Sequence, residues 1–447
     1  MAKNFRPWNI DQNWLLPPSI HDFVPEGHLA HFVRDTVRES LDLSAILEEY
    51  EEERGYPPYH PTMMTALLLY GYCQGVYSSR RIARACEQRV DFMAVTGLQK
   101  PGHRTVARFR ERHLEGLEGL FRQVLRLCQR AGLVKMGHVS LDGTKVKANA
   151  SKHAAMSYSR MKKAEKELAG QVREWMEKAT AIDAAEDKLY GPDSRGDELP
   201  EWVADKKKRL QKIREAKEAL EAEARERDRE RGLDPEAPPS KKKRPGRSSR
   251  SRRLPGEPEA KSQRNFTDPD SRIMRTTHGY QQCYNAQAAV DAESQVVVAC
   301  GLTNSASDQK QLKPMVTQIK ANTGRQAREF SADADYCSED NLRELARRHV
   351  RAYLAVGRQV HGEPDATGRH PLPAPGTRRR KMWARLRQGG YRSRYRLRKH
   401  TAEPVFGQMK EARGFRAFLL RGRDKVTGEW TLVCTAHNLL KLARALA

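Results

Sequence analysis

The chain has 447 residues, and its 82 Lys and Arg against 57 Asp and Glu give a formal charge of +25 and a pI of about 9.9. That balance selects a polyanionic partner and says nothing about fold. No apolar run approaches the roughly 20 residues that span a bilayer, and the stretch Met1–Trp8 lacks the apolar core of a secretory signal. A cytoplasmic protein of two or three domains is therefore expected. Seven cysteines, an odd number without CxxC or CxxxxC pairing, point to reduced thiols. Cys86 and Cys128 fall within helical patterns and read as buried filler.

Residues 1–25, with Trp8, Trp14 and the Leu-Leu-Pro-Pro stretch at 15–18, read as an extended arm. Leu29, Phe32, Val33 and Val37 then recur at helical spacing. Pro61 precedes an apolar run and predicts a buried helix with a first-turn proline. Ser78 and Ser79 are expected to cap a helix carrying Arg80, Arg81 and Arg84, and one further helix is predicted over Thr105 to Gln129. Two readings of this region stand side by side. The arginines could belong to a helix-turn-helix DNA reader, or they could be the solvated face of a helical bundle; the net charge favours the former.

At 138–148 the period changes to that of a strand: His138 to Asp142 is a short apolar run, Gly143 a turn, and Lys145 to Ala148 an alternating continuation. Residues 157–232 are charged and rich in Ala and Leu, with an apolar stripe at Leu168, Val172, Trp175 and Met176. They predict a long helical excursion, a hairpin broken near Gly191-Pro192. Within 241–253 there are eight basic residues and no acid, a composition expected to be disordered when free and to touch phosphates without reading sequence. A solubilising linker is the plainer alternative, and the sign of the charge favours phosphate. Beyond it, Tyr284 to Cys300 reads as a β-hairpin. A helix over Gln309 to Asn322, a strand into Asp333, a helix from near Ser338 and a strand at Ala352 to Val356 follow. Residues 362–376 form a Pro/Gly-rich loop, and 376–399 holds eleven Lys or Arg and no acid. Apart from the excursion, the pattern is a mixed α/β domain.

Three acids stand in distinctive blocks: Asp142 in Val-Ser-Leu-Asp-Gly-Thr, Asp333 in Ser-Ala-Asp-Ala-Asp-Tyr, and Glu403 in His-Thr-Ala-Glu-Pro-Val-Phe-Gly-Gln-Met-Lys. Singly, each has a plain reading: a turn dipeptide, a cap, and a carboxylate early in a helix where the dipole favours it. Together, one at the end of a strand, one at the end of another and one starting a C-terminal helix, they could converge. Three converging carboxylates can hold two divalent metal ions, the equipment for cutting and joining phosphodiesters. Hard oxygen ligands suit Mg²⁺ or Mn²⁺, and no Cys/His cluster has the spacing of a zinc site.

At these blocks the chain resembles the DDE transposases of bacterial insertion sequences, from the N-terminal arm to the last helix. The Pro-Pro-Tyr-His-Pro run at 57–61 and the Ser-Arg-Arg-Ile run at 79–82 look like the helical domain that precedes the catalytic core in that group. The closing stretch from Gly414 to Lys441 looks like the family's end. The resemblance implies an α/β, RNase H-like mixed sheet with flanking helices, interrupted by a charged helical and disordered insert and preceded by an all-α N-terminal domain. The boundaries implied are 1–132 for the helical, DNA-binding domain, 133–156 with 266–447 for the catalytic domain, and 157–265 for the insert. It implies that Asp142, Asp333 and Glu403 are catalytic and hold two Mg²⁺ or Mn²⁺ ions, Asp142 bridging both. Lys410 fits the family's last basic position, seven residues or about two helical turns after Glu403. The family's Arg position falls on Lys399 and its Tyr position on Arg396, both read as DNA-contacting, and Asp335 stands where Gly is usual, a fourth acid beside the site. The partners implied are double-stranded DNA, as transposon ends and target, and further copies of the chain in a homodimer or higher oligomer, at the nucleoid. A repurposed, inactive DNA-binding descendant and an RNase H-like nuclease that cuts without joining are the competing classes.

Overall fold

A computed structural model describes residue 19 and residues 23–50, 58–190, 201–234, 254–357 and 372–446. Most of the N-terminal arm expected over 1–25, the break at Gly191-Pro192, the basic run 241–253 and most of the 362–376 loop lie outside the described residues.

The first region is helical: α1 (Leu29–Glu39), α2 (Ser44–Leu47), α3 (Pro61–Cys73), α4 (Ser79–Gln88), α5 (Val90–Thr96), α6 (His103–Arg112) and α7 (Leu114–Arg130). Pro61 opens α3, whose lack of a hydrophilic face matches its burial on nearly all sides. Ser78 is the residue before α4, but its hydroxyl makes no capping bond. The single helix expected over Thr105 to Gln129 is two helices, broken at His113. That residue leaves helical geometry (φ −100°, ψ 25°), and its fully buried ring stacks on Tyr50, with Nε2 2.9 Å from the Tyr50 hydroxyl and Nδ1 3.2 Å from Oε1 of Glu49. A tertiary contact to an upstream segment sets this break; nothing in the local periodicity announces it.

The sheet begins with β1 (His138–Lys147). Next come β2 (Ala155–Ser157), α8 (Tyr158–Tyr190), α9 (Glu201–Glu230) and β3 (Gln263–Asn265), and β2 pairs antiparallel with β3 to close the base of the excursion. Then follow β4 (Arg272–Thr276), β5 (Gly279–Asp291), β6 (Val297–Thr303), α10 (Leu312–Thr323), β7 (Glu329–Ala332), α11 (Glu339–Arg347) and β8 (Arg351–Leu354). The chain ends with α12 (Arg378–Gly389), α13 (Leu397–Gly407) and α14 (Arg423–Leu446). β1 lies at the centre of the six-stranded sheet, antiparallel to β5 and parallel to β7, with β8 parallel beyond β7. β4 and β6 share the outer edge of β5, one at each end. This is the mixed, RNase H-like arrangement; β2, β3 and β4, short and without alternation, are additions to the strands predicted.

Gly143 is no turn. β1 runs straight through it, opposite Gln287, because glycine alone leaves room there. A Cβ at this position would collide with Nε2 of Gln287 and stand 2.9 Å from Oδ1 of Asp308 and 3.1 Å from Oδ1 of Asn285. Asp142 is therefore in mid-strand, not at a strand end. β5 is buried continuously from Gln282 to Asp291, as expected of a strand covered on both faces. One hydrophobic core runs from the N-terminal helices through the sheet, whereas the α8–α9 hairpin has its own small cluster around Tyr158, Met161, Ile213 and Leu220. In the expected stripe, Leu168 packs against this cluster, while Met176 is exposed. All seven cysteines are free and buried, Cys86 and Cys128 among them. Among the described residues no helix is long and apolar enough to cross a membrane.

Candidate functional site

The register of the sheet decides where the first two acids stand. Leu141 of β1 pairs with Ala332 of β7, so the next residues on two parallel neighbours are Asp142 and Asp333. Asp333 ends its strand as expected and turns the chain, its Oδ1 accepting from the N–H of Ala334 at 2.5 Å. Glu403 comes from α13, which crosses β1, β5 and β7. It is the seventh residue of an eleven-residue helix, not an early one, so the helix dipole does not account for it.

α13 is also interrupted in an informative way. Pro404 lies inside it, and a proline there has no N–H for the carbonyl four residues back. That carbonyl belongs to His400, and the side chain of Gln295 donates to it instead, at 2.9 Å. After Gly407 the helix widens into a π-helical turn over Gln408–Ala412. Lys410, within this turn, reaches β1, donating to Oγ1 of Thr144 at 2.5 Å and to the carbonyl of Lys145 at 2.9 Å. Burial lowers its pKa.

Between the acids stands a cation that the sequence reading passed over. Arg398 places Nη1 3.0 Å from Oδ2 of Asp142 and Nη2 3.0 Å from Oε1 of Glu403. Burial alone would lower the pKa of its guanidinium, but Asp142, the Tyr395 phenol, Asp333 and Glu403 together raise it. Lys399 and Arg396, the residues read at the family's Arg and Tyr positions, are both exposed, while Arg398 and Tyr395 beside them are turned inward. The signal that would have found them is their spacing on the helix. Tyr395 stands one turn before Arg398, whose guanidinium lies 5.8 Å from the Tyr395 ring, and Lys399 faces the other way.

Asp142 is half-buried, and its pKa rises to about 6, first from desolvation and then from the charges of Asp333 and Glu403, with Arg398 opposing. A polar network supports the same strand. Asp308 accepts from Nε2 of Gln287 at 2.8 Å and from Nδ2 of Asn285, and the Tyr336 phenol donates to Oε1 of Gln287. Burial and the charges of Asp308, Asp142 and Asp333 keep that phenol protonated, with a pKa well above 10. None of these four residues was legible, because the elements that carry them meet only in the fold. Asp335 is exposed at the rim.

Among the described residues no three acids, histidines or cysteines stand close enough to form a metal cage. The oxygen chemistry of Asp142, Asp333 and Glu403 suits a hard dication, but the place of the cation between Asp142 and Glu403 is taken by Arg398. A divalent ion there therefore requires the guanidinium to move.

In the N-terminal region, Arg80, Arg81 and Arg84 are exposed on α4, opposite the buried Ile82, Ala85 and Cys86. Only Arg89 separates α4 from α5, where helix-turn-helix readers use three or four residues. The three arginines thus lie on a solvent-facing side of α4, within a helical region.

Two family models match the chain. The Transposase domain (DUF772) covers residues 18–112, and the Transposase DDE domain covers 251–439. The second begins after β1, so Asp142 joins the matched segment through the pairing of β1 with β5 and β7. No curated protein and no solved structure matches the chain. With both models covering well over half of the 447 residues in the order helical domain then DDE domain, the chain belongs to the DDE transposases of insertion sequences.

Proposed function

We propose that this transposase binds the ends of its element, cleaves DNA strands there and joins them to a target, with Asp142, Asp333 and Glu403 as its catalytic acids. What supports this reading is the placement of their elements: Asp142 mid-strand on β1, Asp333 at the end of the adjoining parallel strand, and Glu403 on the helix packed across both, with Arg398 bridging Asp142 and Glu403. The supporting domains are 1–132 for the helical domain, 133–156 with 266–447 for the catalytic domain, and 157–265 for the insert.

Asp142, Asp333 and Glu403 would hold one or two Mg²⁺ or Mn²⁺ ions once Arg398 withdraws, and the ions would supply Lewis acidity at phosphoryl oxygen and a water of lowered pKa. The chain's own residues supply the rest. Arg398, freed from the carboxylates, is a forked donor matched to a phosphate. Lys410 braces β1 beside Asp142, and the exposed Arg396 and Lys399 extend the positive rim over which a strand must pass. Arg80, Arg81 and Arg84 offer phosphates or base edges a second, separate contact surface.

Asp142→Asn, Asp333→Asn and Glu403→Gln are each expected to abolish cleavage of the matching element ends in Mg²⁺ while leaving DNA affinity nearly unchanged, since each removes a charge without altering shape. Near-normal cleavage by any one of them sinks that residue's role, and for Asp333 it shifts the role to Asp335. Cleavage without strand transfer in the unaltered protein favours the nuclease reading.

A further inference from the structure

The insert carries a feature that the carboxylates do not require. A cleft of about 610 Å³ opens between the hairpin and the β2–β3 pair, lined by Arg160 of α8 and by Lys208, Arg209 and Lys212 of α9. Its floor is apolar, from Met156, Ile213 and Phe266. We propose that this cleft is a binding site for the phosphate backbone of duplex DNA, distinct from the acidic site; the choice of DNA as occupant rests on the transposase reading.

The first argument is the distribution of charge on the hairpin. Some cations of the hairpin are neutralised within it or beside it: Glu165 takes Arg214 at 3.1 Å and Lys217 at 2.7 Å, and Glu257 takes Lys162 at 2.5 Å. Arg160, Lys208, Arg209 and Lys212 are exposed and form no ion pair or hydrogen bond among the described residues, and the one acid at the cleft is Asp205. Four unneutralised cations from two helices, gathered on one concave surface, repel one another unless a polyanion joins them.

The second argument is continuity. His153 lines this cleft and also a neighbouring one of about 750 Å³, where Lys147, Lys152 and Arg421 add positive charge. Lys147 is the last residue of β1. At roughly 3.3 Å per strand residue it lies about 17 Å along the strand from Asp142, about half a helical turn of duplex. The basic track thus leads from the insert to the catalytic strand, as a duplex whose phosphodiester is presented to Asp142 would need. The open, unspecialised shape suits backbone contact without base reading.

The test is fluorescence anisotropy of the full chain on a 30-base-pair duplex of arbitrary sequence across a salt series. Changing Arg160, Lys208, Arg209 and Lys212 together to Gln is expected to weaken binding at least tenfold near physiological salt. The slope of log K against log salt should shrink by about 3 to 4, near 0.9 per lost phosphate contact. The double variant Lys208→Gln/Lys212→Gln should give about half that change, and it serves if the quadruple variant melts early. An unchanged slope overturns the proposal. So does an equal loss on changing Lys166, Arg173, Arg225 and Arg227, exposed basic residues of the same hairpin away from the cleft. Tighter, cleft-dependent binding of a single-stranded RNA of the same length overturns the choice of DNA. If the unaltered protein binds the duplex through the cleft yet never cleaves element ends, the catalytic reading falls and the cleft stands. If it cleaves while the quadruple variant binds with the original slope, the cleft falls alone.

Discussion

Helix α14 and the α8–α9 hairpin are the long helical elements of the chain, of 24, 33 and 30 residues, and both contain many polar groups. Every residue from Gly428 to Leu439 of α14 is buried, packed against α3, α7 and β6. The hairpin is mostly solvated and buries one small cluster of its own. The difference lies in how polar groups are satisfied. In α14, Glu429 accepts from the N–H groups of Leu419 and Leu420. Thr431 and Thr435 donate to carbonyls one turn back, and Asn438 pairs with both backbone groups of Val297 at 2.8 Å. In the hairpin, ion pairs and water take that part. Polarity along a helix therefore reports burial only when the partners are known, and α14 couples the N-terminal helices to the sheet because its polar residues find theirs far away in the sequence.

The comparison breaks most visibly at Trp430. Its ring is buried, and Nε1 donates to the carbonyl of Gln287 at 3.0 Å, so Trp430→Ala should cost about 3–5 kcal/mol. Chemical denaturation should show the helical region and the sheet unfolding together; separate transitions would mean that α14 does not couple them.

His437 comes next. Its Nδ1 accepts from Arg413 at 3.1 Å and its Nε2 donates to the carbonyl of Gln295 at 2.8 Å, which fixes the neutral ring. Burial first, and Arg413 second, lower its pKa from 6.5 to about 3. The unfolded chain then takes up a proton near pH 6.5 that the fold refuses until about pH 3. Its stabilising contribution is complete above 6.5 and is lost as pH falls through that window, by up to about 1.4 kcal/mol per pH unit. A His437→Gln variant should show a flatter loss between pH 6.5 and 4; the same slope in both proteins would place the effect elsewhere.

Gly75 is a smaller lever on the same junction. Its φ of +71° lies in the left-handed region, and a Cβ would stand 2.5 Å from the carbonyl oxygen of Arg413. Gly75→Ala should lower stability by about 2 kcal/mol, combining the left-handed backbone cost with the contact. An unchanged melting temperature would show that the junction yields freely.

The smallest effect is expected in the hairpin. Ser157 and Gln263 are paired across β2 and β3, so a two-residue turn joining them can replace 158–262. Calorimetry should find the main transition shifted by no more than a few degrees, since the hairpin's cluster is its own. A collapse of the fold would show that the insert is structural.

The sequence by itself determined the fold class, the strand into Asp333, the β5–β6 hairpin, the helical excursion and the three acidic blocks. Those features depend on local periodicity, turn chemistry and blocks of adjacent residues, which a chain carries wherever it folds. Only the tertiary structure decided that β1 passes through Gly143, that α6 and α7 part at His113, and that Arg398, not Lys399, holds Asp142 and Glu403. It alone gathered Asp308, Gln287, Asn285 and Tyr336 beside the first aspartate. Each of these turns on contacts between segments distant in the sequence. Gln287 and Asp308 fill the space a side chain at 143 would need, Tyr50 and Glu49 hold the ring of His113, and Glu403 and the half-buried Asp142 are bridged by the forked guanidinium of Arg398.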